Sequence, residues 1–304
     1  MLPYTLILLR YTKKEIYTSV MMFTLAYGLI CLATIYNNNI ALIFARIYND
    51  SGEFEIRNGI IRVTLPGDSF VVFSYIYTLY KLLLGKITKF EVLVFAMSIV
   101  AIWVMQTRQI FVAIGLISIY ICLKDKRGRK LGFIILAIIS FYIFSNFTEL
   151  FGDFIETTNE ELGNDDYNRW KSYRFFISEI TRNIITFFTG FGQDASQTYY
   201  NKVVENWWTN YGIAPQDVGF IGTCFYFGII YIYFYFKMVY NIGWKKRKSI
   251  SPEISSFILC TFIYSIFIFP FSESGLRASL WSCLFYILII ENNRVNVIKH
   301  KRRL

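Results

Sequence analysis

Eight apolar segments, each bounded by charged residues, are the feature that most constrains how this chain of 304 residues can fold. Each has 15 to 21 residues, close to the roughly 20 that an α-helix needs to cross the hydrocarbon core of a bilayer. The segments are residues 16–36, 68–84, 91–106, 109–123, 131–147, 218–236, 254–271 and 276–290. They predict an all-α integral membrane protein with about eight transmembrane helices.

The composition excludes an ordinary soluble domain. Charged residues make up 17% of the chain, whereas soluble domains carry about 25%, and the mean hydropathy is +0.42. The only histidine, His300, lies in a basic tail, and the cysteines lie in apolar segments without a Cys-x-x-Cys pair. The cysteines are Cys31, Cys122, Cys224, Cys260 and Cys283. We therefore predict no disulfide framework, no metal site and no cofactor.

The third and fourth segments form one apolar stretch, interrupted only by Gln106-Thr107-Arg108-Gln109. Either one long helix buries Arg108, or the chain turns back there in a tight hairpin. Lys89 precedes the stretch and a basic cluster beginning at Lys124 follows it. Because basic flanks prefer the cytoplasm, both can lie inside only if the chain reverses at Arg108. The hairpin is therefore predicted.

The net charge of +10 could suggest a nucleic-acid partner, but the basic residues punctuate apolar segments instead of clustering on one soluble face. With both termini in the cytoplasm, 21 of the 31 basic residues and five of the 21 acidic residues lie on the cytoplasmic side. The inner side then carries an excess of +16 and the outer side −6. This distribution predicts a multi-pass membrane protein with its N- and C-termini in the cytoplasm, and we expect no nucleic-acid partner.

Two predicted outer loops are longer than ordinary turns. In residues 37–67, the alternating stretch Phe54–Leu65 predicts a short strand or an interfacial segment. Residues 148–217, between helices five and six, are rich in aromatic residues, so we expect a partly helical, functional loop. Without internal repeats, residues 1–304 are interpreted as a single polytopic membrane domain. The opening stretch Leu2–Leu9 is too short to span, and we expect an interfacial segment or the remainder of an upstream helix.

Few basic residues lie on the predicted outer face, and charged residues at the edge of a membrane bundle often mark a substrate path. Arg108, at the apex of the hairpin, either extends to the outer headgroups or holds a phosphate or carboxylate through two parallel hydrogen bonds. Arg277, in the final outer turn, follows Glu273 by four residues, so a local ion pair is the alternative to anion binding.

Arg169 and Arg174 lie on Tyr167–Phe176, which has the pattern of an amphipathic helix on a membrane surface. Its aromatic residues would form the apolar side. The stretch could be a simple interfacial anchor. Alternatively, its arginines bind an anionic substrate.

Gly190, Gly192 and Gln193 belong to a glycine-rich turn that either lets backbone amides approach a substrate or simply permits a tight turn. Asp217, at the start of the sixth segment, either caps that helix or accepts a proton from a sugar hydroxyl. In the hairpin topology Asp217, Arg108 and Arg277 meet the long loop at one outer rim. Several cations on an otherwise acidic face favour a lipid-linked phosphate as substrate.

These stretches resemble the bacterial O-antigen polymerase and ligase superfamily. The resemblance is carried by TGFGQDASQ, by PQDVGFIGTCFYFGIIYIYFYF and by QTRQIFVAIGLISIYICLKDKRGRK, and it covers most of residues 55–240. The stretch RVTLPGDSFVVFSYIYTLYKLL is more similar to exopolysaccharide and capsule polymerases than to ligases. Members usually have more spans, which implies that N-terminal helices are missing from this chain or naturally reduced.

The resemblance implies a membrane-embedded, metal-independent glycosyltransferase of polysaccharide biosynthesis. Such a polymerase joins undecaprenyl-diphosphate-linked oligosaccharides, which serve as donor and acceptor, into O-antigen, capsule or exopolysaccharide. By position, Arg108, Arg169 and Arg174 would bind the diphosphate, with Arg277 on the same rim. Asp217 occupies the region where ligases typically place a histidine base. A chain-length regulator and a flippase could be protein partners.

Two other functions remain open. One is a ligase that transfers the finished glycan to another acceptor; the absence of a histidine near Asp217 argues against it. The other is a transporter of lipid-linked sugars. A transporter predicts charged residues deep in several spans and inverted repeats, neither of which the sequence shows.

Overall fold

The computed structural model of the protein describes residues 11–36, 56–57, 60–61, 67–105, 107–124, 168–192, 199–245, 250–266 and 279–291. These residues are almost entirely helical. The helices are α1 (Lys13–Tyr36), α2 (Asp68–Leu83), α3 (Lys89–Met105), α4 (Arg108–Lys124), α5 (Asn168–Arg182), α6 (Ile184–Thr189), α7 (Tyr199–Tyr211), α8 (Gly219–Val239), α9 (Pro252–Tyr264) and α10 (Ser279–Glu291).

Three shorter elements accompany the helices. A 3-10 turn, Pro215–Val218, leads into α8, and a π-helical turn, Tyr240–Lys245, extends it. Two two-residue strands, β1 (Ile56–Arg57) and β2 (Ile60–Ile61), form an antiparallel pair in which Ile56 lies opposite Ile61. These four are the only residues of the stretch Phe54–Leu65 that the structure describes, and the interfacial alternative for that stretch stays a prediction.

Helices cover seven of the eight predicted apolar segments wholly or in part, while residues 131–147 lie outside the described residues. Among the described residues, two helical stretches are long and apolar enough to cross a membrane: α1 and Gly219–Lys245, which comprises α8 and its π-helical turn. Helices α4, α9 and α10 are apolar but shorter. The count of eight spans stays a prediction.

The chain breaks its helix between α3 and α4. Helix α3 ends at Met105, and α4 begins at Arg108, with the carbonyl of Thr107 accepting hydrogen bonds from the amides of Ile110 and Phe111. One continuous helix through Arg108 is therefore wrong. Which side of a membrane this break faces stays a prediction.

Two helices begin with a reciprocal cap that the sequence encodes as Thr-x-x-Glu. In α3, the Thr88 amide donates to Glu91 Oε2 (2.8 Å), and the Glu91 amide donates to Thr88 Oγ1 (3.3 Å). Thr12 and Glu15 make the same pair of bonds at the start of α1. Each cap satisfies amides that the first helical turn leaves without a carbonyl partner.

The chain divides into two compact units. The first comprises Met1–Gly128, Ile242–Cys260 and Glu273–Leu304, and the second comprises Arg129–Asn241 and Thr261–Ser272. The single polytopic membrane domain predicted from the sequence stays a prediction.

Buried hydroxyl groups join the helices of the first unit. Thr24 Oγ1 of α1 lies 2.8 Å from Ser74 Oγ of α2, and both residues are fully buried. Gly28 of α1 lies against Met97 of α3 so closely that an added Cβ would lie 2.6 Å from the Met97 Cβ. Small and hydroxyl residues thus allow close helix packing and supply polar contacts between the helices.

A charged group, which we call the Lys13 cluster, ties three helices of the first unit together. Lys13 Nζ lies 2.8 Å from Glu291 Oε1 and 3.1 Å from Glu253 Oε1. Tyr17 donates its hydroxyl hydrogen to Glu253 Oε1 (3.0 Å), and Ser251 donates its amide hydrogen to Glu291 Oε2 (3.1 Å). Burial opposes the charge of Glu291, but hydrogen bonds from Lys13 and Ser251 outweigh it and hold the pKa of that carboxyl below its ordinary value.

Aromatic rings form the centre of the second unit. Phe225 of α8 is fully buried, with ring centroids 4.7 Å from Phe176 of α5 and 6.1 Å from Trp207 of α7. Trp207 also contacts Phe175 at 4.9 Å. Phe225 is thus the residue on which the helices of the predicted outer loop converge.

Candidate functional site

Most of the predicted site residues lie in the second unit. Arg169 and Arg174 are on α5, Gly190 and Gly192 follow α6, and Asp217 is in the 3-10 turn before α8. Arg108 is the first residue of α4, in the first unit. Gln193 and Arg277 lie outside the described residues.

Helix α5 packs against the 3-10 turn that contains Asp217. The Ala214 amide, three residues before Asp217, donates to Ser172 Oγ of α5 at 3.2 Å. Ser172 is only 1% exposed, so this bond fixes the two elements to each other within the protein interior. The structure therefore brings the helix with two predicted phosphate-binding arginines beside the turn with the predicted base.

The two sides of α5 differ in character. Ser172, Phe176 and Ile180, spaced four residues apart, are buried against the unit. Arg174 lies on the opposite side, about 160° around the axis from Phe176, and is exposed. Arg182 pairs with Glu179 at 3.7 Å, but its side chain is 78% exposed, so the pair contributes little stability. The outward side of α5 thus presents cationic groups to its surroundings.

Exposed apolar side chains accompany these cations. Trp170 and Ile177 of α5 are 42% and 46% exposed. In α6, Ile184 and Ile185 are more exposed still. A surface that combines basic and apolar groups is typical of helices that lie at a membrane interface.

Asp217 lies in a turn held tightly against α8. An added Cβ at Gly222 would lie 1.8 Å from the carbonyl oxygen of Pro215, and one at Gly219 would lie 2.2 Å from that of Ile266. Val218, the residue after Asp217, occupies the N-cap position of α8, and capping by the Asp217 carboxylate stays a prediction. The Asp217 backbone nevertheless lies at the helix N-terminus, where the helix dipole favours negative charge.

The glycine-rich turn binds to α8 through its backbone. The Phe191 amide donates to the Phe225 carbonyl (2.8 Å), and the Gly192 amide donates to the Tyr226 carbonyl (2.9 Å). The Gly190 amide donates to Thr186 within α6 (2.8 Å). All three amides are thus engaged within the protein, so a substrate role for this turn would fall to other atoms.

Helix α8 is interrupted where this turn meets it. Gly228 has φ 75° and ψ 171°, far from helical values, and separates residues 219–227 from residues 229–239. The apolar pattern of residues 218–236 predicts one uninterrupted span and does not reveal this break. A glycine inside an otherwise apolar helical pattern was the available signal, because glycine there can mark a break.

No group of three or more His, Cys, Asp or Glu residues that could hold a metal ion is found among the residues the structure describes. Arg169 and Arg174 of α5 are the predicted phosphate-binding residues that lie in the described part of the second unit.

No known family model matches the sequence, and neither a curated protein nor a solved structure matches it.

Proposed function

We propose that the protein is a membrane-embedded polymerase that joins polyprenyl-diphosphate-linked oligosaccharide repeat units on the outer face of a bacterial cytoplasmic membrane. One observation carries the proposal. Helix α5, with Arg169 and Arg174, is fixed to the Asp217 turn by the buried hydrogen bond from Ala214 to Ser172. The arginines proposed to bind the diphosphate leaving group and the carboxylate proposed to accept the hydroxyl proton therefore belong to one compact unit.

The reaction needs two kinds of group. A hydroxyl of the acceptor sugar attacks the anomeric carbon of the donor, and the bond from that carbon to the diphosphate oxygen breaks. Asp217 accepts the hydroxyl proton, as a general base. Arg169 and Arg174 stabilise the negative charge that develops on the departing diphosphate.

The exposed surface of α5 suits a substrate that is partly lipid. The diphosphate of a polyprenyl carrier lies at the membrane surface, and its isoprenoid chain extends into the hydrocarbon. Arg174 is exposed on the same helix as the apolar Trp170 and Ile177. Cationic and apolar groups on one surface favour such an amphipathic anion over a water-soluble sugar nucleotide.

The test uses purified protein supplied only with lipid-linked repeat units. We expect a ladder of glycans without any second acceptor, and a loss of about 100-fold in rate for Arg169→Ala and for Arg174→Ala, because removing one charge-stabilising donor typically costs that much. Lys202→Ala is the matched control, since Lys202 is an exposed cation of the second unit outside the proposed site.

A ladder that forms equally well in both arginine variants, at normal protein levels, would contradict the diphosphate role. Product that appears only when a different acceptor lipid is added would instead identify a ligase.

The break at Gly228 favours one alternative, a transporter of lipid-linked sugars, because discontinuous helices often form transporter binding sites. Reconstituted vesicles separate the two functions. A transporter moves a labelled lipid-linked sugar between leaflets without lengthening its glycan, whereas the polymerase lengthens the glycan without requiring movement.

A further inference from the structure

Two glycines in the second unit share an unusual backbone conformation. Gly190 has φ 74° and ψ 179°, and Gly228 has φ 75° and ψ 171°. This region of backbone conformation is essentially restricted to glycine, and residues held there often belong to functional sites. Gly190 ends α6, and Gly228 interrupts α8, so two separate elements adopt the same strained geometry.

The two glycines face each other. An added Cβ at Gly228 would lie 2.1 Å from the Phe188 carbonyl oxygen and 2.7 Å from the Gly190 amide nitrogen. An added Cβ at Gly190 would lie 2.4 Å from the Tyr226 carbonyl oxygen. In each case the obstructing atoms are backbone, which cannot turn aside as a side chain can. Each glycine is therefore required by the close approach of the other segment.

The turn replaces hydrogen bonds that the break removes. A helix that stops leaves its last carbonyls without helical partners, and the carbonyls of Phe225 and Tyr226 instead accept the amides of Phe191 and Gly192. The Phe191 ring stacks on Phe225, with centroids 4.6 Å apart and an interplanar angle of 24°. Backbone and side chain of one turn thus hold the same end of the half-helix.

We propose that Gly190, Phe191, Gly192 and Gly228 form a backbone clasp that positions the Asp217 turn. The half-helix 219–227 is held at its far end by the clasp, and it begins directly after the turn that contains Asp217. Gly190, Phe191 and Gly228 are positioning residues. Their effect on catalysis rests on the proposed polymerase function, whereas the clasp itself does not.

Hydrogen exchange tests the clasp without reference to activity. In detergent-solubilised full-length protein, we expect Gly228→Ala to speed deuterium exchange at the Phe191 and Gly192 amides by about 100-fold, because both lose their carbonyl partners. Gly115→Ala is the matched control, since Gly115 is a helical glycine with open space where a Cβ would be added. Unchanged exchange in Gly228→Ala would overturn the clasp.

A milder variant tests the clasp if the Gly228→Ala protein does not fold. Phe191→Ala leaves both glycines in place and removes only the stacked ring, so we expect exchange at these amides to rise about 10-fold. Phe191→Tyr retains the ring and should restore protection, since Phe191 is 37% exposed and a hydroxyl can reach solvent. Equal protection in Phe191→Ala and Phe191→Tyr would overturn the role of the ring.

Polymerisation kinetics then test positioning. In Phe191→Ala we expect kcat to fall at least 10-fold while KM changes by less than about 2-fold, because the displaced turn affects the base more than the binding of the diphosphate. Faster hydrogen exchange with an unchanged kcat would show that the clasp forms but does not position the Asp217 turn for catalysis. A wild-type protein without polymerase activity would overturn the proposed function, while exchange would still decide on the clasp.

Discussion

The Lys13 cluster of the first unit and the Gly190–Gly228 contact of the second are stabilised in different ways. In the first unit, side chains connect the helices, through the Lys13 cluster and through hydroxyl pairs such as Thr24 with Ser74. In the second, backbone atoms meet directly at Gly190 and Gly228, and aromatic rings surround Phe225. A side-chain contact can be replaced by another of similar shape, whereas a backbone contact tolerates no added side chain. The Gly190–Gly228 contact should therefore be less tolerant of substitution than the Lys13 cluster.

The difference follows from how each kind of contact is satisfied. Ion pairs and hydroxyls orient through rotatable bonds, and they supply partners for polar groups that would be costly to bury alone. A broken helix instead exposes backbone groups whose positions are fixed, so their partners must be brought to them. In the second unit the Phe191 and Gly192 amides are brought to the Phe225 and Tyr226 carbonyls.

The largest expected stability effect concerns Phe225. Phe225→Ala should lower the free energy of unfolding of the protein in detergent by about 4 kcal/mol, because it removes a fully buried ring and leaves a cavity. Phe234→Ala, on the same helix at a position 58% exposed, is the control and should cost less than about 1 kcal/mol. Thermal and denaturant unfolding measure both, and equal losses would contradict the central place of Phe225.

Next in size is the Lys13 cluster of the first unit. Lys13→Ala leaves Glu253 and Glu291 close together without their shared cation, and we expect a loss of about 2 kcal/mol, below the cost of breaking a fully buried pair because Lys13 is partly exposed. The neighbouring Lys14, which is exposed and makes no ion pair with a described residue, is the control. A Lys14→Ala protein as unstable as Lys13→Ala would refute the cluster as the cause.

Lowering the pH provides a second test of the Lys13 cluster. Because the pKa of Glu291 is lower in the folded protein than in the unfolded chain, its stabilisation is present above the ordinary carboxyl pKa and is lost as the pH falls through the lowered value. The difference between wild type and Lys13→Ala should therefore shrink in acid. A difference that stays constant from neutral pH into the acid range would show that packing, not charge, stabilises the cluster.

The smallest effect should be the same in both units. Thr88→Ala at the start of α3 and Asn183→Ala at the start of α6 each remove a side chain that accepts a backbone amide, and each should cost about 1 kcal/mol. Thr88→Ser, which keeps the acceptor, is the control for the first site. A large difference between the two losses in unfolding free energy would show that the two units also differ in how strongly their helices are capped.

Local signals predicted the helices well. The bounds of α1 to α4 follow apolar segments flanked by charge, and the Thr-x-x-Glu spacing before α1 and α3 is visible in the sequence. The end of α3 before Arg108 also followed from local features, the polar residues around it and the basic flanks. Each of these signals lies within a few residues of its effect, which is why the sequence alone could reveal it.

The site was only partly predictable. Arg169, Arg174 and Asp217 were identified as candidates, but nothing in the sequence indicated that Ser172 would join their elements. The pairing of Gly190 with Gly228 was missed for the same physical reason. Contacts between backbone segments that are far apart in the sequence leave no periodic pattern. Gly190 fits a turn and Gly228 fits an apolar helical segment, and neither pattern indicates that the two glycines meet.

The position of the clasp along the chain bears on the order of assembly. Residues 190–192 are synthesised before Gly228, so the hydrogen bonds between the turn and α8 can form only after residues 225–228 have been made. Closure of the clasp therefore depends on α8, the later of the two segments in the chain.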